Sequence, residues 1–489
     1  MDKLEKGARI YFMGIAGTGM AAVAGLMQEA GYKVCGSDNE VYPPMSTMLE
    51  DLQIPFKTPY AKENLNKDNV DIVVVANCLS RGHVELEHML SENIPYTSFP
   101  EILGECFLNN RTSLVVTGTH GKTTTTSILT HLLTELGEDP SYMIGGIPRN
   151  FNKSFHLGSG SCFVIEGDEY DTAWFDKESK FLHYKPNYLL FNNLEFDHAD
   201  IFKSLADIEK MFSKFLDLAT SPKRIIANID DSGVANLLQK KGLKDHITSV
   251  SMQDENADVF LGRAKITANE LGQQNCEFSV TTKQFGEFVI KSKLVGSHNM
   301  ANIGQAIGCL ASMAQQEEFH KQITGTNIAN AMESFKGVCR RFDHISSING
   351  IDIFEDFAHH PTAVGKVIET FRKTYPTRRL VVAFEPKNAT SRRNVFEAAY
   401  AEKLSGADEV LIGKCPVDIR IPKNERMNVN NIQSGIKTTA KVFTENEQLL
   451  EHLIETLKSG DSVVFMSSAS FSGIQHKLPS ALQAKNATA

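Results

Sequence analysis

The sequence predicts an α/β protein of three domains with mainly parallel sheets, and three observations predict it. Apolar runs of strand length alternate with helical stretches along the whole chain, the pattern of strand–helix–strand units. The pattern restarts at strand–glycine loop–helix units near Gly14 and Gly118, and again after Cys339-Arg340-Arg341-Phe342, where Gly350–Phe357 begins another sheet. A chain of 489 residues is also too long for one hydrophobic core. The expected domains are 1–110, 111–335 and 336–489.

The first unit runs from the strand Arg9–Met13 through a loop holding Gly14, Gly17, Thr18 and Gly19 into a helix Met20–Ala30. The next strand, Val34–Gly36, leads to Ser37 and Asp38, and Ile72–Ala76 leads to Asn77. Glycines admit close backbone approach to a diphosphate, and the helix start favours negative charge. The unit is Rossmann-like, but its spacing is GxxGxG rather than GxGxxG. NAD and a nucleoside-diphosphate sugar both suit it, so this loop alone leaves an NAD-dependent oxidoreductase open.

The second unit carries the strongest single signal. After the strand Leu114–Thr117 comes Gly118-Thr119-His120-Gly121-Lys122-Thr123-Thr124, and then a helix Thr124–Leu136. This is a compact GxxGK[ST] phosphate loop, with Val116 where the longer Walker form has glycine. Its N–H groups would cradle phosphate oxygens, Lys122 would reach the β- and γ-phosphates of ATP, and the Thr123 hydroxyl would ligate Mg²⁺.

Two acidic strand ends follow. Phe163–Glu166 opens into Gly167-Asp168-Glu169-Tyr170-Asp171, and Tyr188–Asn192 into Asn193-Leu194-Glu195-Phe196-Asp197-His198. Hard oxygen donors suit Mg²⁺, and two such ends after one phosphate loop predict two ions. The strand Ile225–Asn228 continues the sheet, and a β-richer patch spans Asp258–Leu294, with Cys276–Thr281 as its clearest strand. In the third unit the strands are Leu380–Phe384, Glu409–Ile412 and Ser462–Met466.

Bulk properties narrow the classes. Net charge of -9 argues against general binding to nucleic-acid backbone. No run of about 18 apolar residues predicts a membrane span, and the first residues lack a secretory pattern. Eight scattered cysteines form no CxxC pair or disulfide framework, which fits a reducing cytosol.

Six segments in order, GTHGKTTTT (118–126), IEGDEYD (165–171), NNLEFDH (192–198), GSHNMAN (296–302), RRFD (340–343) and EDFAHHPT (355–362), resemble the motifs of the Mur ligases of peptidoglycan synthesis. The resemblance covers essentially the whole chain. It implies a cytoplasmic enzyme, a monomer or weak homo-oligomer. The enzyme would use ATP and Mg²⁺ to join the lactyl carboxylate of UDP-N-acetylmuramate to an amine through an acyl phosphate.

Carried over by motif, Lys122 and His198 are the catalytic candidates. Thr123 and Glu166 would bind the ATP-side magnesium, and His198 would help bind the second. Asn299 and Asn302 would contact the adenine end, and Arg341 and Asp356 would come from the third domain onto the nucleotide. The Gly14–Met20 loop would hold the UDP group, with Ser37 and Asp38 near the uridine and Asn77 beside the sugar. Val41–Thr47, Phe175–Lys177 with Phe181–Tyr184, and Phe357–Thr362 imply a member that adds the murein tripeptide L-Ala-γ-D-Glu-meso-diaminopimelate in recycling, rather than one that adds L-alanine. Lys387, Arg392 and Arg393 are candidates for the tripeptide carboxylates.

The resemblance gives His359 and His360 no defined role. Two departures stand out. Several family members carry a carbamylated lysine about fifteen residues after the metal histidine; Ser213 stands at that offset, with Lys210 and Lys214 nearby, so no such lysine is assigned. Ser467–Gly473 is also poorer in glycine than the family pattern.

Overall fold

Three sheets follow one another along the chain in the computed structural model, which describes residues 4–41, 45–219, 221–268, 274–319 and 321–487. The first is parallel, in the order Phe56–Lys57, Lys33–Ser37, Arg9–Met13, Ile72–Val75, Tyr96–Ser98. Its strand order reverses between Arg9–Met13 and Ile72–Val75, and open α/β sheets bind ligands at such a switch point. Gly14 leaves the first of these strands there. With φ +89°, and a Cβ that would lie 2.7 Å from the Ala76 Cβ, that position requires glycine. Tyr42, Pro43 and Pro44 of the segment that implied tripeptide addition lie outside the described residues.

The central sheet has eleven strands. The phosphate-loop strand, Thr112–Thr117, is hydrogen-bonded on one side to Cys162–Glu166 and on the other to Tyr188–Phe191, all parallel. Val116 pairs with Glu166 and Thr117 with Phe191. The two acidic strand ends therefore flank the phosphate loop at the carboxyl edge. Alternate strand residues face opposite ways: Leu114 and Val116 enter one buried cluster and Val115 another, so both faces are covered. The β-rich patch is an antiparallel extension built on Gln274–Thr282 and Gly286–Ser292.

The third sheet runs Asp343–Ile348, Ile351–Asp356, Asp461–Ser467, Arg379–Glu385, Glu409–Ile412, Thr439–Val442. It opens one strand earlier than the sequence reading has it. Asp343–Ile348 is antiparallel to Ile351–Asp356 across a turn with Asn349 at φ +55° and Gly350 at φ +78°. Its residues are half-buried or exposed, as befits an edge strand without an apolar run. The chain leaves the central unit just before, where the amide of Cys339 donates to the Ile147 carbonyl at 3.0 Å. Among the described residues no helix is long and apolar enough to cross a membrane, and all eight cysteines are free thiols.

Candidate active site

The phosphate loop is shaped by its two glycines. Gly118 has φ +123° and Gly121 φ +82°, and Gly121 starts the helix Lys122–Glu135. A Cβ at Gly121 would lie 2.5 Å from Asn302 Oδ1, and one at Gly118 2.9 Å from the Asn193 backbone. Gly121→Ala is therefore expected to lower stability by about 1–3 kcal/mol and to weaken nucleotide binding. Thermal melting and ATP titration by calorimetry check both; unchanged values would contradict this account of the loop.

Lys122 is almost enclosed. Its Nζ donates to the Gly118 carbonyl at 2.7 Å and to both Glu169 oxygens at 2.8 and 2.9 Å. Burial works against the ammonium charge, but Glu169 outweighs it and the pKa is raised. The Thr123 hydroxyl donates to Glu166 Oε2 at 3.1 Å, while the Gly145 amide donates to Glu166 Oε1. Burial pushes the Glu166 carboxyl up, a cost that a divalent cation would remove.

His198 sits at φ +54°, with Nε2 3.9 Å from Glu169 Oε2 and its ring edge against Tyr170. Its Nδ1 is buried and has no hydrogen-bond partner. Oxygen donors at Thr123 and Glu166, with the unpartnered Nδ1 of His198 on a ring whose Nε2 faces Glu169, fit divalent cations. Lys214 pairs with Glu178, and Lys241 donates to the Ser213 carbonyl and hydroxyl.

The third domain reaches this edge. Arg341 Nη2 donates to the Thr123 hydroxyl at 3.3 Å, and its guanidinium lies 4.8 Å from the Phe357 ring centre. Asp356 accepts from the amides of Phe342 and Ala358, both at 2.6 Å, and so fixes the turn that carries Arg341. Arg340, which the sequence reading passed over, donates to Glu355 at 2.8 Å and to the Ser467 and Ala469 carbonyls. It binds the Ser467–Gly473 stretch, where Phe471, Ser472 and Gly473 all have positive φ.

On the amino-terminal side, the Ala16 amide donates to Asp38 Oδ2 at 2.9 Å, so Asp38 holds the glycine loop. Gly17 caps the helix Thr18–Glu29, whose Met20 is buried. Ser37 is fully buried, and its hydroxyl donates to Glu85. Asn77 Nδ2 donates to Asp171 Oδ1 at 3.4 Å, joining this domain to the first acidic segment.

Other candidates are placed differently from one another. Asn302 accepts from the Thr125 hydroxyl at 3.2 Å beneath the phosphate loop, and donates to Asn299 at 3.3 Å. Arg392 pairs with Asp418 at 3.1 Å and Arg393 with Glu425 at 2.6 Å. Lys387 makes no ion pair or hydrogen bond among the described residues. Near it, the Thr390 hydroxyl accepts from the Ala199 amide at 3.1 Å. The sequence reading missed Glu169 as the partner of Lys122, and also Lys180, which pairs with Asp168 at 2.8 Å over the Phe99 and Tyr170 rings. Only the clustering of acids at 166–171 hinted at them.

His298, His359 and His360 are each pushed down to about 4, chiefly by burial. The unfolded chain, with histidine near 6.5, binds those protons first. Their stability contribution is complete above about pH 6.5 and is lost as pH falls toward 4, at up to about 1.4 kcal/mol per pH unit for each. Asp168 and Glu195, held at about 2, act below that window. Melting temperature between pH 7.5 and 4.5 should fall less steeply in His298→Asn; an unchanged slope would remove His298 from the account.

Residues 9–111 match the Mur ligase family, catalytic domain, residues 116–310 the Mur ligase middle domain, and residues 340–469 the Mur ligase, glutamate ligase domain. The UDP-N-acetylmuramate–L-alanyl-γ-D-glutamyl-meso-2,6-diaminoheptandioate ligase of Escherichia coli (strain K12) is 36% identical over 478 residues, covering 98% of this chain and 99% of that protein. The UDP-N-acetylmuramate–L-alanine ligase of Clostridium acetobutylicum is 31% identical over 405 residues, covering 83% of this chain and 82% of that protein. The crystal structure of a murein peptide ligase from Psychrobacter arcticus superposes with a TM-score of 0.72 at 31% identity, covering 97% of this chain and 99% of that one. With three ordered domain matches and full-length similarity, the chain belongs to the Mur ligase family.

Proposed function

We propose that this chain joins the lactyl carboxylate of UDP-N-acetylmuramate to the amine of the murein tripeptide L-Ala-γ-D-Glu-meso-diaminopimelate, converting ATP to ADP and phosphate. The observation that carries this reading is end-to-end similarity, 36% identity over 98% of the chain, to the Escherichia coli ligase whose name states those substrates. The alanine ligase of Clostridium acetobutylicum matches less of the chain at lower identity. Nucleotide substrates and eight free thiols support a cytoplasmic location.

A carboxylate is a poor electrophile, so it must first take the γ-phosphoryl group of ATP. Two anions then approach each other, and the site supplies positive charge where they meet. Lys122 is the nearest fixed cation. Its bond to Glu169 holds the ammonium in place, and arriving phosphates would compete with that carboxylate for it. Arg341, carried in by the third domain and oriented by Asp356, adds a second cation beside Thr123. Divalent cations held by Thr123 and Glu166 and by His198 would offset charge on the phosphate oxygens. The glycine loop at Gly14, Gly17 and Gly19 would hold the diphosphate of the sugar nucleotide, with Asp38 fixing the loop and Asn77 at the seam toward Asp171. The amine then attacks the acyl phosphate, and phosphate leaves with the C–O bond electrons. Of the three candidate cations for a tripeptide carboxylate, Lys387 is favoured because Arg392 and Arg393 are already paired.

The test is turnover with ATP, Mg²⁺ and UDP-N-acetylmuramate, offering the tripeptide or L-alanine. Ligation of the tripeptide with at least about 100-fold preference is expected, the discrimination that several polar contacts give. Preference for alanine would overturn the proposed acceptor.

A further inference from the structure

The paired histidines His359-His360 have no part in the chemistry above, yet they lie on the loop that enters the helix Pro361–Thr374 of the third domain. His360 is committed twice. Its Nδ1 accepts from the Thr362 amide at 3.3 Å, capping that helix, and its Nε2–H donates to the Phe196 carbonyl of the central domain at 3.1 Å. Those partners define a neutral ring. Its edge packs on Phe396, with centroids 4.8 Å apart.

Beside it stands Glu195. The Glu195 backbone is tied to the phosphate loop, since its amide donates to the Thr119 hydroxyl at 2.9 Å and its carbonyl accepts from that hydroxyl at 3.2 Å. Its Oε2 faces two ways. His120 Nε2 of the phosphate loop lies at 3.3 Å, and the Thr362 hydroxyl of the third domain donates at 2.6 Å. The same atom is 3.7 Å from His360 Nδ1. One oxygen thus touches the loop that would hold the phosphates and the first turn of the third-domain helix.

We infer that Glu195 is a positioning residue that latches the third domain onto the phosphate loop through Thr362 and His120, so that phosphoryl transfer proceeds with the domain docked. The inference rests on the ligase reading given above. Its chemical reason is the intermediate. Water attacking the acyl phosphate restores the carboxylate and releases phosphate and a proton, so ATP is hydrolysed with no amide formed. A docked third domain keeps water out. Glu195 suits the task because hydrogen bonds from His120 and Thr362 outweigh its burial and hold it ionised. It therefore accepts from both donors throughout the neutral range.

Thr362→Val removes the hydroxyl at nearly constant volume, Thr362→Ser restores it, and Glu195→Gln weakens the acceptor. Wild type should release one phosphate per amide formed. Thr362→Val and Glu195→Gln should release several, with ligation kcat down about 10-fold and KM for ATP changed less than about threefold, as expected for a contact made alike before and after nucleotide binds, whose loss leaves nucleotide affinity nearly unchanged. Thr362→Ser should return the ratio to near one. In the ligand-free protein, distances between spin labels on the central and third domains should broaden in the Val and Gln variants and narrow again in the Ser variant. A ratio of one with an unchanged distance distribution in Thr362→Val would overturn the latch. A lower melting temperature with both rates reduced equally would also overturn it, because that outcome marks ordinary packing. Absence of ligation by wild type would sink the ligase reading instead, while the label distances would still decide the latch.

Discussion

Replacing Lys122 with alanine is expected to lower ligation kcat by about 10³-fold or more, the scale for removing a fixed cation at a transferring phosphoryl group. It should also destabilise the protein. Lys122 is the direct partner of Glu169, whose side chain is 3% exposed, and without it that carboxylate keeps, among the described residues, only His198, 3.9 Å away. Stranding a buried charge costs about 3–5 kcal/mol. The double variant Lys122→Ala, Glu169→Gln should recover most of that stability and none of the activity. Urea unfolding of the four proteins in the cycle checks the first part and steady-state kinetics the second. A Lys122→Ala protein as stable as wild type would show that the Glu169 pair is not the constraint its geometry implies, and retained ligation would remove Lys122 from the mechanism.

Glu166→Gln is expected to behave in the opposite sense. Burial already pushes the Glu166 carboxyl up, so charge at this position is a liability in the metal-free protein. Glutamine can accept from the Gly145 amide and donate to the Thr123 hydroxyl, replacing both contacts of the carboxylate. The melting temperature without Mg²⁺ should hold or rise, while kcat falls about 10²–10³-fold because the hard anionic ligand is gone. A stability–activity trade of this kind is common where a site holds strained or unpaired charge. Melting with and without Mg²⁺ decides it: wild type should gain stability on adding the ion and the variant should not. Equal stabilisation of both would place the ion away from Glu166.

How much of this was legible in the sequence varies with the kind of signal. The strands Arg9–Met13, Ile225–Asn228 and Glu409–Ile412 form as read, because buried parallel strands are continuous apolar runs. The phosphate-loop glycines were legible because their backbone angles exclude other residues. The edge strand Asp343–Ile348 was not, since its polar residues carry no buried face, although Asn349-Gly350 is a hairpin turn signal.

At the site, the two acidic segments could be assigned to strand ends, and the pairing of those strands on either side of Thr112–Thr117 explains why they converge. Which carboxylate meets which cation was hidden. Glu169 rather than Glu166 takes Lys122, and Asp418 and Glu425 take Arg392 and Arg393, through contacts that span up to 47 residues and depend on loop geometry. The Glu195–Thr362 contact joins residues 167 apart on different domains, and no local pattern announces it.

The most direct test of the central claim uses UDP-N-acetylmuramate carrying ¹⁸O in the lactyl carboxylate, with ATP, Mg²⁺ and the tripeptide, and reads both products by mass. Activation as an acyl phosphate predicts a UDP-muramoyl tripeptide and an equal amount of phosphate bearing one ¹⁸O. Unlabelled phosphate, or labelled phosphate with no tripeptide product, would contradict the account.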